Sequence, residues 1–201
     1  MADYFYLSLF NPYFMTKYLN GFLFAVLALA LFMGSCKEDD TDDNNNDEPT
    51  LYERVGGTTM VADPNNSSQM MEQGYLTLRS VVDSAIFVIA ADTVMAPYFQ
   101  VLLTEVGSGD MSGVTALSAS LTNFMAVATG AENFSYSGRD MVSAHDPAQY
   151  SRMGLAADDA AYDAFVADVG TALGQNGVTD TELINDLVAL LETLRSDIVQ
   201  R

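Results

Sequence analysis

The chain has 201 residues, 49% of them apolar, which is enough for one domain with extensions and a buried core. Its 27 acids outnumber eight bases, for a formal net charge of −19. That balance excludes the clustered cations of a nucleic-acid binder or of an arm for acidic lipid, and a single cysteine, Cys36, excludes an internal disulfide framework.

Residues 22–33, "FLFAVLALALFM", form an unbroken apolar run of the length of a signal h-region, short for a membrane span. Lys17 precedes it, and "MGSC" closes it with small residues at Cys36. The pattern resembles a bacterial lipoprotein signal, which implies that Cys36 is lipidated and becomes the mature N-terminus. An uncleaved signal anchor is the alternative, and Met15 is an alternative start to Met1. Segment 37–49, "KEDDTDDNNNDEP", holds much of the negative charge and almost no apolar residue. It cannot bury enough surface to offset its ordering entropy, so it is expected to be a disordered acidic linker. Lys37 followed by acids also resembles the surface-export signature of some bacterial lipoproteins. The expected organisation is a signal segment 1–36, a linker 37–49 and a domain 50–201.

Within 50–201 no stretch alternates cleanly enough to be a strand. "ADPNNSS" (62–68) and "EVGSGDMSG" (105–113) are turn-rich breaks. The apolar spacing is helical. Leu78, Val81, Val82, Ala85, Ile86 and Ile89 form one stripe; Val114, Leu117, Leu121, Phe124, Met125 and Ala128 a second. Tyr162, Phe165, Val166, Val169 and Leu173 form a third; Leu183, Ile184, Leu187, Val188, Leu191, Leu194 and Ile198 a fourth. Gly177 separates the last two, and "TDTE" (179–182) reads as a capping box with Thr179 as the N-cap and Glu182 reaching back. The spacing predicts an all-α domain. The only histidine, His145, falls in a poorly periodic stretch between the second and third stripes. A neutral imidazole is the commonest metal ligand, but a lone histidine is more often structural.

Four segments, in order, resemble the group I truncated haemoglobins: "LYERVGG" (51–57), "YSGRDMVSAH" (136–145), "YDAFVADVGTAL" (162–173) and "LINDLVALLETLRSDIV" (183–199). The resemblance implies a truncated globin-like two-over-two helical sandwich, pairing helices 72–91 with 114–129 and 159–175 with 179–196. It implies haem b, with His145 as the proximal iron ligand and its other ring nitrogen oriented by a backbone carbonyl or similar partner. Met141 would face the haem plane, Tyr136 would lie near the propionates, and Phe99, Phe165 and Leu155 would line the cavity. The positions that carry polar distal groups in the family are here Ile86 or Phe87, Leu117 and Leu121. Two insertions depart from the family: one before the helix near Leu76, containing "PNNSSQMMEQGY", and "DPAQYSRM" (146–153) after His145. The expected function is a membrane-tethered globin, on the periplasmic or cell-surface side, that reversibly binds oxygen, nitric oxide or carbon monoxide, with an unidentified redox partner and with enzymatic turnover left open. A haem-less interaction module and a haem-dependent nitric oxide oxidase are the alternatives. No Ser/His/Asp or Cys/His arrangement is available for hydrolysis, and no metal-spaced Cys/His cluster exists.

Overall fold

The computed structural model describes residues 48–201. The signal segment, Cys36 and nearly all of the linker lie outside the described residues. Within the described part the chain runs from helix α1 (Leu51–Arg54) through strands β1 (Met60–Asp63) and β2 (Asn66–Glu72) into the long helix α2 (Gln73–Ala91). A 3-10 turn at Ala96–Phe99 leads to α3 (Gln100–Gly107) and α4 (Ser112–Ala128). Short α5 (Met141–His145), long α6 (Asp159–Gln175), α7 (Thr181–Glu192) and short α8 (Arg195–Ile198) complete it. Pro49–Arg201 is one compact unit.

Helix α2 is the centre of the domain. Its buried residues include Leu78, Val81, Val82, Ala85, Ile86 and Ile89, the predicted stripe. It packs along both α4 and α6, which explains why it is apolar over much of its circumference. By composition it would pass for a membrane span, with a mean hydropathy of 1.4, yet it is a core helix. Both predicted helix pairs are in contact, α2 with α4 and α6 with α7. Helix α7 buries Leu183, Leu187 and Leu191, then stops at Glu192. The fourth stripe is therefore two helices, and Ile198 is buried from α8.

Two local expectations are corrected. The N-cap of α7 is Asp180, whose carboxylate accepts from the amides of Glu182 (2.9 Å) and Leu183 (3.0 Å). A charged acceptor one residue closer to the helix displaces the Thr179 hydroxyl. The capping box is instead at the first helix: Glu53 N donates to Thr50 Oγ1 (3.1 Å), and Thr50 N donates to Glu53 Oε2 (2.7 Å).

The second correction is a β-hairpin in the first insertion. β1 and β2 pair antiparallel with Val61 opposite Met71 and Ala62 opposite Met70. The hairpin buries charged groups at its ends, where apolar ones would normally lie. Asp63 is 5% exposed and receives both Arg79 nitrogens from α2, at 2.8 and 3.3 Å. Those bonds hold its carboxyl below its ordinary value. At the other end, Glu72 accepts from Tyr52 Oη and from Asn133 Nδ2, each at 2.7 Å. Glu72 thus joins α1, the hairpin and the connection after α4. Gly56 and Gly57, with φ of 129° and 56°, turn the chain from α1 toward the hairpin, which only glycine does without strain.

One buried carboxylate lacks this support. Asp168 on α6 is 9% exposed, and its Oδ2 has no hydrogen-bond partner among the described residues. Burial, and then the neighbouring charge of Asp92, push its carboxyl above the ordinary 3.8. A raised folded-state value means that the folded chain holds the proton more tightly than the unfolded one. Stability is then lost as pH rises from 3.8 through the folded value. Asp168→Asn should raise the melting temperature at pH 7 by about 3 °C, on the order of 1 kcal/mol, with the gain shrinking toward pH 4. Thermal scans of both proteins across that range check this; an equal difference at every pH would refute the buried-charge explanation.

Candidate functional site

His145 closes α5, a helix of only five residues. Asp140 caps it, its carboxylate accepting from Ser143 N at 2.9 Å. His145 is half-buried, and its Nδ1 lies 2.8 Å from the carbonyl of Met141, one turn back. A carbonyl only accepts, so Nδ1 carries the proton and donates it. In the neutral ring the lone pair is then on Nε2, which has no hydrogen-bond partner among the described residues. Burial pulls the imidazole below its ordinary 6.5, against the opposing pull of the Met141 carbonyl, so the neutral form prevails at neutral pH. The result is a fixed tautomer with one free donor atom, the arrangement of a metal-ligating histidine. No group of three or more His, Cys, Asp or Glu side chains among the described residues could hold a bare metal ion.

Helix α4 supplies the second part of the site. The sequence suggests that it buries Val114, Leu117, Leu121 and Phe124. It instead buries Thr122 and Ala126, both 0% exposed, with Thr129 just past its end at 3%. These small residues let it lie close along α2. Ser118 Oγ donates to Asp83 (2.5 Å) and Tyr75 Oη to Asn123 (3.0 Å) across the same contact. Val114, Leu117, Leu121 and Phe124 stand about 100° around the helix from that face and are half-buried rather than buried. Among the described residues nothing fully covers this apolar stripe. Helix α3 behaves alike: Val101, Leu102, Leu103 and Val106 are all half-exposed, and the helix has no buried residue.

The remaining predicted residues divide. Phe99, Met141 and Phe165 are half-buried and pack against the main core. Tyr136 stands edge-on to Phe124 of α4, ring centroids 5.3 Å apart, and its hydroxyl donates to the Arg139 carbonyl at 2.7 Å. Phe87 is 52% exposed and Leu155 40% exposed, so neither is a wall of a closed cavity. Of the pair Ile86 and Phe87, only Ile86, 7% exposed, points into the fold. Tyr75, the last residue of the quoted first insertion and a polar side chain at the start of α2, is engaged within the fold. It stacks on Phe134 with centroids 4.4 Å apart, in addition to its bond to Asn123. Gln200 and Arg152 were not singled out from the sequence. Gln200 Nε2 donates to the carbonyl of Val142 in α5 at 2.8 Å, and Arg152 pairs with Glu105.

Compared by sequence, the chain matches no protein-family profile and no curated protein. Among solved structures it is similar to the Fe(III) form of a point mutant of the truncated haemoglobin from Tetrahymena pyriformis. The TM-score is 0.53, at 20% identity, over 76% of this chain and 100% of that one. The fold is that of a truncated haemoglobin. Within this truncated-globin fold the hairpin and residues 146–153 are the two segments that the sequence marked as insertions, and both are ordered parts of the domain.

Proposed function

We propose that residues 50–201 bind haem b through His145 Nε2 and present the iron to a diatomic gas, in the manner of the group I truncated haemoglobins that the sequence resembles. The observation that carries the reading is that one truncated-globin fold holds both a tautomer-fixed imidazole and an apolar stripe on α4 that stays partly exposed. A single imidazole cannot hold a bare ion, so a metal bound here would need further ligands that arrive with it. A planar apolar macrocycle supplies them, and burying Leu117, Leu121 and Phe124 against it would stabilise the complex by about 25 cal/mol per Å² of apolar surface. The residues present fit that group: His145 holds the metal, Met141 orients the imidazole, and Phe99, Phe165 and the α4 stripe exclude water.

When bound, the haem would supply an iron able to bind the gas reversibly. The protein's own contribution there is apolar. Ile86, Leu117 and Leu121 carry no hydrogen-bond donor, and Tyr75 is committed elsewhere. A lipid on Cys36 would tether the domain to a membrane on its periplasmic or cell-surface side, supported by the apolar run and the small residues before the cysteine.

Three outcomes are expected. Purified protein should show a Soret band with haem at one equivalent, and His145→Ala should lose it or need added imidazole. A wild-type ferrous spectrum from the variant would refute the ligand assignment. Oxygen should leave quickly, and carbon monoxide should be strongly preferred. Ile86→Tyr, at the buried member of the pair, should slow oxygen release by about 10- to 150-fold, the worth of a charge-assisted hydrogen bond of about 1.5–3 kcal/mol. Stopped-flow release measured for wild type and variant decides this, and an already slow wild-type release would contradict it. Cys36→Ser should move the protein from the membrane to the soluble fraction of cells, and an unchanged distribution would remove the anchor.

A further inference from the structure

Helix α5 is too short to hold its own position, because five residues provide little helical hydrogen bonding of their own. The residues after it provide that position. Asp146 folds the chain back immediately: its carbonyl accepts from the amides of Gln149 (3.0 Å) and Tyr150 (2.8 Å). Its carboxylate accepts from Ala148 N and Gln149 Nε2, both at 2.8 Å. Met153 N then closes a second turn on the Tyr150 carbonyl at 2.9 Å. The Arg139 guanidinium lies over the Tyr150 ring, 4.9 Å from its centroid, so residues on either side of α5 are drawn together. Residues 146–153 are therefore a wound, self-bonded segment joined directly to His145.

The far end of the segment is fastened across the fold. Arg152 donates two nitrogens to the two carboxylate oxygens of Glu105 on α3, at 2.8 and 2.5 Å. The pair is partly shielded, with side chains 36% and 25% exposed. It sits against Gly113 at the start of α4, where an ideal Cβ would fall 2.2 Å from Glu105 Oε2 and 2.5 Å from Arg152 Nη2. One ion pair thus meets three elements: α3, the first turn of α4 and the segment behind His145. Helix α3 has no fully buried residue, so the ion pair adds to a light apolar contact with its neighbours.

We infer that residues 146–153 are a strap, with Arg152–Glu105 as its clasp, and that Arg152 is a positioning residue that fixes His145 and limits how fast a planar ligand leaves the apolar stripe of α4. The inference rests on the haem reading of the site. Breaking the clasp frees the strap and α3 together, so the ligand is lost through a looser wall and from a less constrained imidazole.

The test uses the whole described domain loaded with haem. Haem dissociation is measured by transfer to an excess of an apoglobin acceptor for wild type, Glu105→Gln, Arg152→Met and the charge-swapped double variant Glu105→Arg with Arg152→Glu. The single variants should release haem about 3- to 10-fold faster, the range expected for a bidentate but partly exposed pair. The double variant should recover most of the loss. The ferrous iron–histidine stretching band should shift or broaden in the single variants, which a purely global destabilisation would not produce. In the haem-free protein, amide exchange at 148–153 should accelerate in the single variants and recover in the swap. A wild type that takes up no haem overturns the haem reading and this proposal with it. A wild type that takes up haem, with variants that release it at the same rate and keep the same band, overturns the strap alone.

Discussion

The choice of which face α4 turns to α2 governs the rest of the structure. Ser118, Thr122 and Ala126 are small enough for close approach, and Asp83 and Tyr75 reach across to supply polar partners. Had the apolar stripe been buried there, α4 would present Ser118 and Thr122 to its other side instead. Turning it about 100° away leaves leucines and phenylalanine partly in water, a cost that only a further apolar surface offsets. His145 sits on a different helix, so the imidazole and the apolar stripe are positioned by separate parts of the chain.

The hairpin shows how an insertion is accommodated without disturbing that arrangement. Its fastenings are polar: Asp63 to Arg79 and Glu72 to Tyr52 and Asn133. Buried charges of this kind contribute little net stability, but they are specific about geometry, and removing one partner strands the other. Tyr52 is accordingly 1% exposed, and burial, then its bond to Glu72, push its phenol well above the ordinary value. The hairpin is tied to α1, to α2 and to the connection after α4.

What the sequence made legible follows from burial. Helix α2 is covered on two sides, so its stripe from Leu78 to Ile89 could be read directly. The α4 stripe was equally periodic, but periodicity reports a face, not what covers it, and the buried residues of α4, Thr122 and Ala126, carry little apolar signal. The hairpin escaped because its inward residues are Asp63 and Glu72 while Met60 and Met70 are outward, at 53% and 57% exposure, the reverse of the usual alternation. Its one available sign was the two-residue turn at Pro64–Asn65 between the paired segments. Ile86 and Phe87 could not be told apart because neighbouring helical residues differ by about 100° and both are apolar. Arg152–Glu105 and Gln200–Val142 join residues far apart in the chain, a separation that no local pattern encodes.

The bond from Gln200 to the Val142 carbonyl sets an order of events. Gln200 also donates its backbone amide to Ala157 at 2.9 Å, and Val199 pairs with Ala157 in a parallel bridge. During synthesis the ribosome releases residue 145 well before residues 199 and 200, so the histidine enters a chain that lacks one of the groups that hold its helix. A five-residue helix does not persist alone. The helix that carries His145 is therefore fully fastened only once residues 199 and 200 have docked on Ala157 and Val142.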